Sequence, residues 1–588
     1  MKDTILAVDF ETYYDKKVSI TVYGARGYFS HPQFSAYLVS VVGNEGFVYV
    51  GRPKEFDWSL LNDKVLLSHN ASFDETLYKF GVEKKWWGAC TPKEWHCTAD
   101  LAAFSGIPRN LKGASSVALG IEISKDTRDN MAGKRWEDMT PEFRAEVIEY
   151  AAKDSELALA LWDKLSPGWP DQERQISRVN REALQKGIPV DQKLLKEYSE
   201  SLAIRLFEAE QSIPWIGDSS PLSRSAFNEE CRKKGLTPPK SLALTDEEAN
   251  KWMEDNCAEH LWIAAVREWR RVNSLKKKIE AFDLATMSDG RYYGGITYFG
   301  AQQTGRFSGS GGNLNLQNLA QGEMFGVDVR KLICAPTGKK LLVADLSQIE
   351  VRTLCWLAND KQMLELIEQT DDIYHSFAIK FGIWSDDKGP IREHDPKLRH
   401  LAKTMTLGCG YGTGPAKFAT MANVSMGEAQ QAVERYRRSM KKIVSYWKFL
   451  DIYGKNAAMM ENPLRLTLPS GRALDYGVPF MVDGNFGSGL CCKIYKQSRK
   501  QMMRLWGGIL AQNLSQALAR DILSDMMLRI ERKGLRILFH VHDEVVLEVD
   551  EDSAEEDKKT VDEIMMTPPE WISIPLSCES KLLTRYEK

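Results

Sequence analysis

Two apolar, strand-like runs in this 588-residue chain end in carboxylates: residues 4–11 (TILAVDFE) and 340–345 (KLLVAD). Side chains alternate along a strand, so Asp9 and Glu11 point to one face. Like charges on one face repel unless a cation neutralises them, and magnesium with oxygen ligands is the natural complement. Alone, D-x-E equally suits a polar turn after a strand. A third run, 535–549 (LRILFHVHDEVVLEV), alternates like a single strand but is interrupted by His542-Asp543-Glu544. A conflict between acids and a local apolar pattern marks a functional site. Asp345 and Asp543, far apart in sequence, each stand where a strand could present them to one ion.

Composition narrows the class. At ~150 residues per domain, the length suggests roughly four domains. Hydrophobic residues at 43% and charged residues at 27% exclude disordered, collagenous and disulfide-scaffold proteins. The ten cysteines include no C-x-x-C pair, which excludes a zinc ribbon and points to free thiols in a reducing compartment. The N-terminus does not resemble a signal peptide, and no apolar run could cross a bilayer. The 78 bases and 81 acids give a net charge of −3, which argues against a uniformly basic protein. That sum conceals opposed regions. Residues 266–280 hold six bases and two acids, 430–448 six and one, and 493–504 five and none, whereas 548–557 hold seven acids. Local basic strips can bind a polyanion while acids elsewhere cancel the total.

Helical periodicity dominates to about residue 165, after strand-like runs near 34–50. Ser166-Pro167-Gly168-Trp169-Pro170 is a breaker and a domain boundary. A charged helical region follows to about 285, strands return at 292–299 and 340–345, and 347–460 reads as helical. Pro469-Ser470-Gly471 turns a hairpin at 464–474, and a helix is expected over 485–532.

Further motifs carry chemistry. Asn70-Ala71-Ser72-Phe73-Asp74 follows an apolar strand and could equally be a helix cap. Thr140-Pro141-Glu142 opens a helix on which Tyr150 and Asp154, four apart, share a face. Ser347-Gln348-Ile349-Glu350 has capping-box spacing. Asp395-Pro396 starts a helix carrying Arg399, Lys403, Leu407 and Tyr411 at steps of four. Arg and Lys one turn apart could bind a triphosphate, and the tyrosine could stack on a base; a solvated amphipathic face is the plainer alternative.

D-x-E, N-x-x-x-D and Y-x-x-x-D in this order resemble the three blocks of the proofreading 3′–5′ exonucleases, which are ribonuclease-H-like. The resemblance implies Asp9, Glu11, Asp74 and Asp154 as metal ligands, with Tyr150 orienting the attacking water. Downstream, the segments at 345–352 (DLSQIEVR), 399–412 (RHLAKTMTLGCGYG) and 542–544 (HDE) resemble the palm and finger motifs of family A DNA polymerases. Thr304-Gly305-Arg306, Asn315-Leu316-Gln317-Asn318 and Gln516 resemble that family's template–primer contacts.

The resemblance implies an α/β and α+β multidomain chain: an exonuclease domain at 1–165, then a right-hand polymerase. The latter would comprise a thumb at 166–285, palm at 286–358, fingers at 359–487 and palm again at 488–588. It implies template-directed primer extension with dNTPs and proofreading. Two magnesium ions would sit at each active site, with manganese able to serve the same ligands. Asp345 and Asp543 would hold the polymerase pair, with Glu544 an auxiliary acid. Arg399 and Lys403 would grip the triphosphate. Glu350 would sit under the sugar, hydrogen-bonded to Tyr411, with Gln348, Leu407 and His375 also at the nucleotide. Arg306, Asn315, Gln317, Asn318, Gln516 and His542 would contact DNA, and Arg271, Lys276 and Lys277 of the thumb would meet duplex phosphates.

Three departures stand out: Leu346 after the first palm aspartate, Leu407 where the family often has Phe or Tyr, and Asp372-Ile373-Tyr374-His375 where it reads D-I-H. Which of Tyr374 and His375 faces the triphosphate stays open at this point. The first strand begins too early to leave room for a 5′-nuclease domain. The hairpin at 468–472 and the G-A-x-x-T-G-R run at Gly300 point to a bacteriophage enzyme. It would act as a monomer in the host cytoplasm, with helicase-primase and single-strand-binding protein as candidate partners. A single-subunit RNA polymerase, or an exonuclease with a structural polymerase-like half, are the alternatives.

Overall fold

The computed structural model describes residues 4–124, 126–310, 315–370, 372–483, 488–496 and 499–587. Near the N-terminus a mixed five-stranded sheet runs in the order Val48–Gly51, Ala36–Gly43, Ile5–Thr12, Val65–Ser68, Glu94–Cys97. The central strand pairs antiparallel with Ala36–Gly43 and parallel with Val65–Ser68. Leu6, Ala7, Val8 and Phe10 are all buried, which explains the continuous apolar run. The helix Pro141–Leu165 opens as expected, with Thr140 accepting the Phe143 N–H at 3.2 Å and Pro141 at its first position. Ser40 ties it to the sheet by donating to the Ala151 carbonyl at 2.8 Å. Glu94–Cys97 was not anticipated; four residues with Glu and His among them carry no strand signal.

Two arginines fasten this unit to the rest. Arg181, on the helix Asp171–Gln185, donates to Glu75 at 3.0 Å and to the Trp95 carbonyl at 2.6 Å. Arg109 pairs with Asp100 and donates to the Tyr298 carbonyl at 2.9 Å. Beyond them, the helices Gln192–Glu210 and Leu261–Ala285 pack along each other.

The C-terminal half is organised by a four-stranded antiparallel sheet in the order Arg536–Val541, Glu544–Asp550, Lys339–Leu346, Cys578–Leu583. The helix Gly507–Arg532, buried along most of its length, packs against Ile349–Leu357 and Lys441–Met459. The expected hairpin is present as Arg465–Thr467 and Ala473–Asp475, with Gly471 at φ +85° in the turn.

Two sequence expectations need correction. Residues 535–549 do not form one strand: they form a hairpin whose turn is His542-Asp543, with His542 at φ +54°. The acids that broke the alternation mark that turn. Nor does one helix cover 485–532. Gly489–Lys496 and Arg499–Leu505 are antiparallel strands, and the helix begins only at Gly507. The expected start at 485–487 and the link at 497–498 lie outside the described residues. Trp506-Gly507-Gly508 is the real boundary: a β-carbon on Gly507 would collide with the Trp447 carbonyl, and one on Gly508 with that of Tyr411.

Candidate active sites

Asp345 ends the strand Lys339–Leu346, half-buried, and pairs in register with Glu544 on one side and Glu579 on the other. The neighbouring Leu346 N–H donates to the Asp543 carbonyl at 3.0 Å. The strand end and the hairpin turn are thereby locked side by side, which brings Asp345 and Asp543 to one edge of the sheet. Glu544 is buried, and its carboxylate accepts the Tyr586 hydroxyl at 2.6 Å. Burial, then the adjacent Glu544 carboxylate, push the Tyr586 hydroxyl up. Pro575 and Ser347 carbonyls hold Arg352, so the turn from the strand into Ile349–Leu357 is fixed from below.

Gln348 makes that turn with φ +52°. Its amide oxygen accepts the Tyr374 hydroxyl at 2.9 Å. The capping-box alternative for Glu350 fails: no side chain caps this helix. Glu350 pairs instead with Arg306 and accepts from Gln516 at 3.4 Å. The expected Glu350–Tyr411 hydrogen bond is replaced by these two contacts. Tyr411 still lies near enough that Glu350, after burial, opposes ionisation of its hydroxyl.

The helix Pro396–Cys409 is capped by Asp395, which accepts the Leu398 N–H at 2.9 Å. Arg399 forms a two-pronged ion pair with Asp372, at 2.5 and 3.0 Å. Arg399 and Lys403 both lie over the Tyr374 ring, 5.2 and 5.8 Å from its centroid. Lys403 and Leu407 are exposed. A chain of contacts thus runs from the Asp345 strand through Gln348 and Tyr374 to the cationic helix. His375 does not face the nucleotide side as expected. It is buried, with Nε2 on Asp386 at 3.0 Å and Nδ1 accepting the Ile391 N–H at 3.2 Å. The residue facing the cations is Tyr374.

The expected DNA contacts divide. Gln317 is buried and braces the acidic hairpin: its Nε2 donates to the His540 carbonyl at 2.6 Å and its Oε1 accepts the His542 N–H at 3.0 Å. It therefore positions the turn and does not face DNA. Asn315 caps a short helical turn by accepting the Gln317 N–H at 3.0 Å, and both Asn315 and Asn318 are exposed, as is His542. On Leu261–Ala285, Arg271 and Lys277 are exposed, whereas Lys276 pairs with Glu280.

A second centre lies on the N-terminal sheet. Carboxylate oxygens of Asp9, Glu11 and Asp154 lie within 4.8 Å of one another, the metal-competent group of three found among the described residues. Asp74, nearly fully buried in the first turn of Ala71–Glu83, accepts the Phe10 N–H at 3.1 Å behind the cluster. Burial shifts all four upward, and repulsion from neighbouring acids adds to it at Asp9, Glu11 and Asp74. Asp9 is held well above the usual carboxylate range by burial, then by Asp74, Glu11 and Asp154. Burial, followed by Asp154, pushes Glu11 up to about 8, and burial raises Asp74 to about 8 against the Phe10 hydrogen bond. Asp154 rises to about 6, mainly by burial, with Tyr150 and Arg128 opposing. Tyr150 is itself raised by burial and by Asp154. The donor set suits a hard divalent cation, because a bound charge would relieve the repulsion that now favours protons.

Sequence reasoning missed three contributors. Arg128 is the cation that opposes the acid cluster, Tyr586 holds Glu544, and Asp372 occupies the Arg399 fork. Asp372 was visible only as part of a motif; Arg128 and Tyr586 carry no local signal.

A model of DNA polymerase family A matches residues 192–588. The chain is 26% identical to the DNA polymerase of Bacillus phage SP02, over 99% of both chains. It is 27% identical to the thermostable DNA polymerase I of Thermus filiformis over 72% of this chain, which spans about half (49%) of that relative. The solved polymerase domain of Pol1 from M. smegmatis, in complex with primer-template DNA and dNTP, superposes with a TM-score of 0.69 at 21% identity. The match covers 99% of this chain and 95% of that one.

Proposed function

The chain belongs to DNA polymerase family A, and from that premise we propose that it extends a primer 3′ end on a DNA template with dNTPs at the palm and removes misincorporated 3′ nucleotides at the N-terminal sheet. The observation carrying the first activity is the Asp345–Asp543 edge joined through Gln348 and Tyr374 to Arg399 and Lys403. Acids at one end and cations at the other match a triphosphate delivered to a primer hydroxyl. The exonuclease reading is supported by the Asp9, Glu11 and Asp154 cluster with Asp74 and Tyr150 beside it.

Asp345 and Asp543 would hold magnesium at the palm, and Asp9, Glu11, Asp74 and Asp154 at the sheet. When bound, it supplies a Lewis acid that lowers the pKa of the attacking oxygen and stabilises the leaving one. Arg399 and Lys403 bind the phosphates and stabilise charge developing on them, once Arg399 releases Asp372. Tyr374 aligns both cations from beneath. Glu350, held by Arg306 and Gln516, stands where it excludes a ribose 2′-hydroxyl. Tyr150 orients the water at the second centre. Phage replication in the host cytoplasm, acting as a monomer beside helicase-primase and single-strand-binding protein, is the setting we propose; the SP02 relative supports its phage origin.

Primer extension with dNTPs against NTPs tests the polymerase reading. Selective use of dNTPs is expected, and preference for NTPs would return the RNA polymerase alternative.

A further inference from the structure

The antiparallel hairpin Gly489–Lys496/Arg499–Leu505 was expected to be helix, and none of the motifs above uses it. Residues 489–505 contain five bases and no acid. Register places Lys493 opposite Met502, Tyr495 opposite Lys500 and Cys491 opposite Arg504, so these side chains share one face. Lys493, Lys500, Met502 and Arg504 are exposed on that face, and Arg499 is exposed near the tip. Cations and rings interleave there: Lys493 lies over Phe480 at 5.7 Å and Lys500 over Tyr495 at 5.8 Å. Among the described residues, no carboxylate forms an ion pair with Lys493, Arg499, Lys500 or Arg504, whereas many other surface bases in the molecule are paired, as Lys79 and Lys558 are. An unneutralised cationic face with aromatic rings is the composition of a single-strand nucleic-acid platform, in which bases stack and cations follow the phosphates.

Its position selects the strand. The hairpin leans on Lys441–Met459, where a β-carbon on Gly454 would press on Leu490. Its second strand runs directly through Trp506, half-exposed at 46%, into Gly507-Gly508, which touches the Tyr411 carbonyl. The root of the hairpin therefore stands beside Tyr411, the tyrosine read above as able to stack on a base. A single-stranded template running 5′ from that position, ahead of synthesis, would pass the root of the hairpin.

We propose that this hairpin holds the single-stranded template ahead of the polymerase site, through Lys493, Lys500 and Arg504 to phosphates and Tyr495 to bases. The inference rests on the polymerase reading of the palm. The test uses the full chain and a K493A/K500A/R504A variant, with folding checked by circular dichroism and melting. Binding to primer–templates is read by fluorescence anisotropy in calcium, with a long 5′ template overhang and with a single-nucleotide overhang. On the long overhang the variant is expected to bind about tenfold more weakly at low salt, and its log K against log salt slope to fall by about 2, near 0.7 per lost phosphate contact. On the short overhang both should bind alike, and kcat at saturating DNA should match the parent. Equal loss on both substrates would assign the hairpin to duplex, and no loss on either would remove it from DNA binding; both overturn the proposal. Parent enzyme that fails to extend the primer in the same preparation would instead refute the polymerase reading.

Discussion

Asp74→Asn should make the metal-free protein more stable, although it removes a proposed metal ligand. Asp74 is nearly fully buried beside Asp9 and Asp154, and its pKa stands at about 8 against an ordinary 3.8. A carboxyl raised in the folded state contributes stability that is present below its unfolded pKa and lost as pH rises through the folded one. The window here runs from about pH 4 to about pH 8, with each pH unit worth ~1.4 kcal/mol for an isolated group. Four acids share one repulsion, so removing one charge relieves a part of it, about 2 kcal/mol at pH 8. Asparagine keeps the oxygen that accepts the Phe10 N–H, so the fold contact survives. The assay is thermal or urea unfolding in EDTA from pH 5 to pH 8, followed through the N-terminal tryptophans. Wild type should lose stability across this range, and Asp74→Asn should lose less and melt higher at pH 8. Magnesium at pH 8 should stabilise wild type more than the variant. A variant that is less stable than wild type in EDTA at pH 8, with an unchanged pH slope, would refute the reasoning.

Asp372→Asn should lower KM for dNTPs about fivefold, because the carboxylate no longer competes for Arg399, a gain of about 1 kcal/mol; an unchanged KM counts against the latch. Arg520 is buried against Glu173, with one contact at 2.9 Å. Arg520→Ala should cost about 3–5 kcal/mol in denaturant unfolding by stranding the glutamate, and a loss near zero would contradict that pair's role. Leu407 offers no phenolic hydroxyl in place of a missing 3′-hydroxyl, so dideoxynucleotides should be incorporated poorly and Leu407→Tyr should incorporate them better. Equal use of both nucleotides by wild type would sink this.

The acids were legible because strands ending in carboxylates violate their own pattern: Asp9, Glu11, Asp345 and Asp543 all announced themselves this way. The Arg399 to Leu407 face was legible from helical spacing. What stayed hidden was tertiary. Gln317 matched a DNA-contact motif, yet its amide bridges His540 and His542 across the fold. His375 and Tyr374 are neighbours in sequence, and only packing against Asp386 and Ile391 decides which one turns inward. Residues 489–505 read as helix because long, straight-chain Lys, Arg, Gln and Met suit helices, while the pairing that makes them a hairpin is non-local. Residues 535–549 are strand as read, but their burial does not alternate, residues 544–549 all being buried, and the turn at His542-Asp543 stayed hidden because no glycine or asparagine marks its positive φ.

The central claim is that two separate acidic centres perform opposed reactions. Its most direct test is a mismatched primer–template incubated with and without dNTPs, using wild type, Asp543→Ala and Asp9→Ala/Glu11→Ala. Wild type should shorten the primer without dNTPs and extend it after trimming when they are present. Asp543→Ala should shorten it and never extend, and Asp9→Ala/Glu11→Ala should leave the mismatch in place while still extending a matched primer. Loss of both activities in both folded variants would contradict the two-centre account.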